Sequence, residues 1–235
     1  MQLTFSLISW GAWSPDCQHR DAWSAWHAQQ ESPNNEAIPA LAHVPAMQRR
    51  RFSRLTRMML EVAHQACAPD NCRSVFASRH GELNRTIDLL QNIIGDEPLS
   101  PMGFSQSVHN TASGLFGIVH QNRAASTSIA AGTETLSQAM VEAYAQLAED
   151  PEPLLLVFGD DPVPPVYDEY TSEYELPLAM GLVLAPAGVT GKPQLTLKNS
   201  RELPGMGFGR LLHALATGQD CQGQLSRWDW KLSHA

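Results

Sequence analysis

Charge is scarce in this sequence. Asp, Glu, Lys and Arg supply 17% of its 235 residues, where soluble domains carry about a quarter. A thinly charged surface leaves weakly polar area that either faces water or is covered by a partner. Basic residues are the scarcer sign: 16 Lys and Arg stand against 24 Asp and Glu, a net charge of −8. Neutralising phosphates needs a basic surface, so nucleic-acid binding is not expected. Cysteine is sparse as well. Cys17, Cys67, Cys72 and Cys221 form no C-x-x-C pair, and Cys67 and Cys72 have no second cluster to complete a zinc site. Such thiols read as reduced, which points to the cytoplasm. The start, Met1-Gln2-Leu3-Thr4-Phe5, lacks the basic region of a secretory signal. No apolar run approaches the roughly 20 residues that cross a bilayer, so no membrane span is expected.

The familiar catalytic motifs are also missing. Gly191-Lys192 lacks the upstream glycine and the following Ser or Thr of a P-loop. The run from Gly205 to Gly209 is not G-x-G-x-x-G and follows no opening strand of a βαβ unit. There is no G-x-S-x-G elbow and no H-E-x-x-H. The nine histidines are scattered. No metal and no cofactor is expected. Internal repeats are absent, and the chain reads as a single domain over residues 1–235.

What is present alternates between strand and helix. Residues 3–10 alternate well enough for a first strand, and residues 11–45 read as irregular with one short helix. Residues 47–66 read as one amphipathic helix, with Phe52, Leu55, Met59, Val62, Ala63 and Ala66 at helical spacing. Arg49, Arg50, Arg51, Arg54 and Arg57 crowd its start, where cations oppose the helix dipole. Strands are expected at 73–78, 127–131, 154–159, 179–185 and 193–198. Helices are expected at 82–94, 108–121, after 131 and near 209–216, with 162–174 as a loop. Strands alternating with helices argue for an α/β layered fold.

Two stretches carry most of the information. The run Ser107-Val108-His109-Asn110-Thr111-Ala112-Ser113-Gly114 opens a helix of small residues, which either packs tightly in a core or makes a close subunit contact. The run from Thr127 to Met140 reads as strand, sharp small-residue turn, helix. That arrangement sets one residue at a helix N-terminus, where free N–H groups stabilise an anion and enzymes place a thiolate or serine. Here the residue is Gly132, which has no side chain, and Thr133 reads as a helix cap.

At these stretches the sequence resembles the β-ketoacyl synthase family, whose members carry a Ser-x-His-Asn-like segment, a dimer-interface helix and a strand–turn–helix reading Thr-Ala-Cys-x-Ser. Ala131-Gly132-Thr133 falls where Ala-Cys-x would stand. Leu154 to Asp160 and Met180 to Leu184 resemble the family's following core strands, and Arg49 to Leu55 its early basic helix. The likeness spans roughly residues 3–186 and is similar to the short ketosynthase-like subunits of aryl polyene clusters, which look like chain length factors. It implies a thiolase-like layered fold, mainly the N-terminal half of a ketosynthase. The half that brings the family's two histidines is expected to be missing, since nothing around His213 or His234 resembles their motifs.

The resemblance further implies a non-catalytic subunit that pairs with a full-length ketosynthase as a heterodimer and meets an acyl carrier protein. Candidates for an acyl-tunnel wall are Leu90, Ile93, Ile94, Phe104, Leu115 and Phe116. Candidates for the subunit interface are Asn110, Gly114, Gly117, Ser128, Ile129 and Ala130, and for carrier-protein docking Arg49, Arg50, Arg51 and Arg54. Each has a plainer reading, as core for the apolar residues and as solvated or ion-paired surface for the arginines. Two rival functions remain: a hydrolase or transferase using Ser107 or Ser128 with His109, and a scaffold that only stabilises the ketosynthase.

Overall fold

The computed structural model describes residues 1–27, 36–170, 177–199, 207–225 and 227–234. Eight strands form one sheet: β1 (Gln2–Trp13), β2 (Ser74–Ala77), β3 (Ser126–Ile129), β4 (Leu154–Asp160), β5 (Leu178–Pro186), β6 (Gln194–Asn199), β7 (Cys221–Leu225) and β8 (Trp228–Ser233). Their spatial order is β3-β2-β4-β5-β1-β6-β8-β7. β2 runs parallel to both β3 and β4, and every other pairing is antiparallel. The helices are α1 (Ala46–Arg49), α2 (Arg54–Ala66), α3 (Leu83–Ile94), α4 (Pro101–Ser105), α5 (Thr111–Val119), α6 (Thr135–Glu149) and α7 (Phe208–Thr217).

Two apolar clusters sandwich the sheet. One gathers α6 and α7 with Leu3, Phe5, Leu156, Phe158, Leu182 and Leu184. The other gathers α2 and α5 with Phe76, Leu155, Val157, Ala179 and Val183. Alternate residues of β4 and β5 therefore serve opposite faces, and both strands are buried almost throughout. Helices on both faces explain why these strands read as unbroken apolar runs. The α/β layered architecture is the one the alternation of elements predicts.

Helix α2 packs closely on the sheet. Gly11 and Gly181 are register partners across β1 and β5. A methyl group on Gly11 would fall 2.5 Å from Gln65 Cβ and 2.7 Å from the Val62 carbonyl oxygen, and one on Gly181 would fall 2.6 Å from that same oxygen. Gly159 of β4 continues the seat, with Met59 Cγ at 2.9 Å from such a group. The missing side chains let α2 lie against the strand backbones and bury Leu55, Met58, Met59, Val62, Ala63 and Ala66.

Several expectations shift. The helix over 47–66 is broken in two, because Ser53 caps a new start: its Oγ accepts from Thr56 N at 3.0 Å, and Phe52 turns into the core. The small-residue helix is shorter than 108–121, and β1 is longer than 3–10. Part of the expected loop, Pro165–Tyr170, is a 3₁₀ helix, and residues 171–174 lie outside the described residues. The short 3₁₀ helix Arg20–Ala25 is the one short helix expected before α1. The hairpin β7–β8 is an addition. Trp228, Trp230 and Leu232 alternate with Asp229 and Lys231, a period of two spread over too few residues to stand out.

Gly181→Ala is expected to destabilise the chain by about 1–3 kcal/mol through overpacking against the Val62 carbonyl. Thermal unfolding should show a lower midpoint. Gly114→Ala, whose added methyl meets nothing within 4 Å, should leave it unchanged or raise it.

Candidate functional site

The strand–turn–helix forms as the sequence predicts, with a short 3₁₀ turn over Gly132–Glu134 leading into α6. Thr135 ties the turn together: its Oγ1 accepts from Ala131 N at 2.9 Å and donates to the Gly132 carbonyl at 2.7 Å. Gly132 has φ +56° and open space where a side chain would stand. The turn's backbone is thus formed, and Gly132 brings no side chain to it. Arg227, between β7 and β8, reaches it from the far end of the sheet order, with Nε 3.7 Å from Glu134 Oε1.

None of the four cysteines stands at this turn. All four cysteines are free. Cys67 caps the C-terminus of α2 and Cys221 opens β7. Cys17 and Cys72 are buried, and burial raises both thiols, which lowers their thiolate fraction. The serines of the rival reading have other hydrogen-bond partners. Ser107 Oγ donates to the Phe104 carbonyl at 2.8 Å, Ser128 Oγ meets Ser113 Oγ at 3.2 Å, and His109 Nε2 donates to the Ser78 carbonyl at 2.8 Å. His109 is therefore committed to the backbone after β2. Among the described residues no group of three or more His, Cys, Asp or Glu could hold a metal ion.

The candidate interface residues share one side of the molecule. β3 pairs only with β2, so its other edge is open among the described residues. The Ser113–Ser128 contact ties α5 to that strand, and Ile129 and Ser128 are half-buried while Ala130 is exposed. Asn110 and Gly114 are exposed on α5, Gly117 half-buried. Helix α3, which packs on α4, buries no residue at all despite its apolar stripe. Leu90, Ile93, Ile94 and Phe104 are all exposed, Ile94 at 86% and Phe104 at 67%.

Leu115 and Phe116 part company. Leu115 lines a groove of about 520 Å³ shared by residues of α1, α4 and α5. Phe116 is buried in the core, its ring 5.4 Å from Phe76 and 4.7 Å from His120. The sequence reading did not single out Met47, Met102, Val108 and Ile118, which line the same groove. Thr111, Leu115 and Ile118 at helical spacing were the signal available for it.

The four docking arginines divide as well. Arg49 Nη1 donates to the carbonyls of Ala40 and Leu41. Arg54 pairs with Asp161 at 2.6 Å. These two are used inside the fold, whereas Arg50 and Arg51 are exposed. Both line a cleft of about 830 Å³ that also holds Arg85, Glu82 and Asp88.

Buried acids tie together the segments at this end of the sheet. Glu82 accepts from Ser53 Oγ at 2.7 Å and Thr56 Oγ1 at 2.6 Å, yet burial still raises its carboxyl. Asp160 ends β4 and accepts from Ser78 Oγ at 2.8 Å and Arg79 N at 2.7 Å, stitching β4 to the segment after β2. Burial outweighs those bonds and pushes its carboxyl from 3.8 up to about 6. A raised carboxyl favours the folded state while protonated, and that stability is lost as pH rises through about 6. Asp160→Asn should remove this term. Between about pH 4.5 and 7.5 the wild type should lose about 2 kcal/mol relative to the variant, read from urea unfolding at the two pH values.

The family model "Beta-ketoacyl synthase, N-terminal domain" matches residues 23–231. No protein of curated function matches the sequence. Among solved structures, the chain is similar to one from the complex of the ketosynthase ApeO with its chain length factor ApeC from Xenorhabdus doucetiae. That match has 26% identity and a TM-score of 0.81, over 99% of this chain and 100% of that one. A β-ketoacyl synthase from Burkholderia phymatum shares the fold at 14% identity and TM-score 0.60, over 94% of this chain and 71% of that one. The ishigamide ketosynthase/chain length factor does so at 11% and 0.57, over 93% and 71%. No described helix is long and apolar enough to cross a membrane. With the match running from the first 3₁₀ helix into the last strand, the chain belongs to the β-ketoacyl synthase family, as a form of its N-terminal domain.

Proposed function

We propose that the chain is a chain length factor-like subunit that pairs with a full-length ketosynthase and shapes its acyl tunnel without doing chemistry itself. The observation that carries this reading is Gly132: the turn that the family resemblance assigns to the nucleophile has its backbone and lacks the thiol. Covalent capture of an acyl group needs that nucleophile. Similarity to a chain of a ketosynthase–chain length factor complex over the full length of both supports the pairing. The exposed stripe of α3 and the open edge of β3 supply a surface for it, since exposed apolar area and a free strand edge call for cover. Arg50 and Arg51 are the arginines available to an acidic carrier protein. Aryl polyene assembly is the pathway proposed, on the resemblance to the short ketosynthase-like subunits of those clusters.

Four outcomes check this. The purified chain should take up no radiolabelled acyl group from a carrier protein; labelling that survives removal of all four cysteines would sink the non-catalytic reading. Co-expression with a full-length ketosynthase should give a one-to-one complex on gel filtration. Ala130→Asp and Ile94→Asp should each dissociate it while leaving the chain's own melting midpoint in place, and an unchanged elution volume would remove these residues from the interface. Phe104→Ala should lengthen the product of an intact complex if Phe104 bounds the tunnel, whereas unchanged length from a stable complex would favour a scaffold.

A further inference from the structure

The groove between α1, α4 and α5 has one feature that its apolar walls leave unexplained. Gln106, at the end of α4, lines it and is only 8% exposed. Its Nε2 donates to Met102 Sδ at 3.4 Å, and thioether sulfur is a weak acceptor. Its Oε1 is buried with no hydrogen-bond partner among the described residues. Leaving a buried amide oxygen unpaired is costly, and an apolar residue of similar shape would avoid the cost. The apolar part of the wall includes Met47, Phe52, Val108, Leu115 and Ile118, and Arg51, Asn110 and Thr111 are among its other polar residues. A volume of about 520 Å³ whose exposed wall is mainly apolar matches a small-molecule site better than a protein-docking face.

We propose that this groove binds an alkyl or acyl chain whose buried end carries a hydroxyl group, and that Gln106 selects for that hydroxyl. A hydroxyl both donates and accepts, so it satisfies the amide whichever way the amide is turned. A methyl end leaves the amide unpaired, and a site built around a hydrogen bond discriminates strongly against the analogue that lacks it. Identifying the bound chain with a growing acyl product rests on the pairing with a ketosynthase proposed above; the binding itself does not. Gly114 also lines the groove, and a side chain added there meets nothing within 4 Å, so bulk at this position fills the groove without displacing the helix.

The test uses the full chain, free and in complex with the ketosynthase, and two probes: 1-octanol and 1-fluorooctane, followed by NMR titration. The fluoro compound is the more apolar, so an unselective groove would favour it. Wild type should bind the alcohol about tenfold more tightly. Gln106→Leu should weaken the alcohol and turn the preference toward the fluoro compound, and Gly114→Leu should abolish both. Melting midpoints establish that each variant is folded, with Gln106→Met as the substitute if Gln106→Leu is not. Equal affinities in the wild type, a preference that survives Gln106→Leu, or no binding of either probe would each overturn the proposal. Elution volumes from the same preparations report the pairing separately, so failure of the complex is not confused with failure of the groove.

Discussion

Where α2 crosses the middle of the sheet, Gly11 and Gly181 face each other across two strands, and the Val62 carbonyl lies nearer to both than any methyl group would allow. That contact fixes the height of α2 above the sheet. From this seat the helix is tied at both ends. Ser9 Oγ donates to the Ala66 carbonyl at its C-terminus. At its N-terminus Ser53 and Thr56 donate to Glu82, and Arg54 pairs with Asp161. Glu82 caps α3 and Asp161 follows β4, so one helix links the central strands to the elements that border the groove and the cleft. Raising α2 by the thickness of a methyl group would strain all of these bonds together.

The polar contacts at this end of the sheet pull against burial. Glu82, Asp160 and Asp161 all sit in places where burial raises the carboxyl despite partners that lower it. On the α2–α5 face the balance involves histidine instead. His43 and His64 stack at 3.8 Å, and burial followed by the neighbouring His64 and His120 lowers His43 to about 4. A lowered imidazole favours the folded state while neutral, and that stability is lost as pH falls from about 6.5 through about 4. Acids and imidazoles therefore oppose one another over the mildly acidic range.

Much of the fold was legible because its signals are local. The apolar runs of β4 and β5, the stripe of α3 and the small-residue turn at Gly132 each announce an element within a dozen residues. The sheet order was not legible, because Gly11 and Gly181 are 170 positions apart and only their pairing shows why both are glycine. The site was legible in part for the same reason. Gly132 could be recognised by what it lacks. Leu115 and Phe116 are adjacent in sequence and equally apolar, yet the turn of α5 sends one to the groove and the other to the core. Which arginines serve the fold was not legible, because the carbonyls that hold Arg49 and the carboxylate that holds Arg54 come into place only in the folded chain. Gln106 carried no pattern, since its meaning lies in an oxygen left without a donor.

The bare apolar side of α3 bears on how long such a chain survives after synthesis. Leu90, Ile93 and Ile94 project from a helix that contributes nothing to its own core. Surface of this kind attracts chaperones, proteases and other copies of the same chain. Exposure of one helix would thus tie the lifetime of each copy to whether that helix is covered.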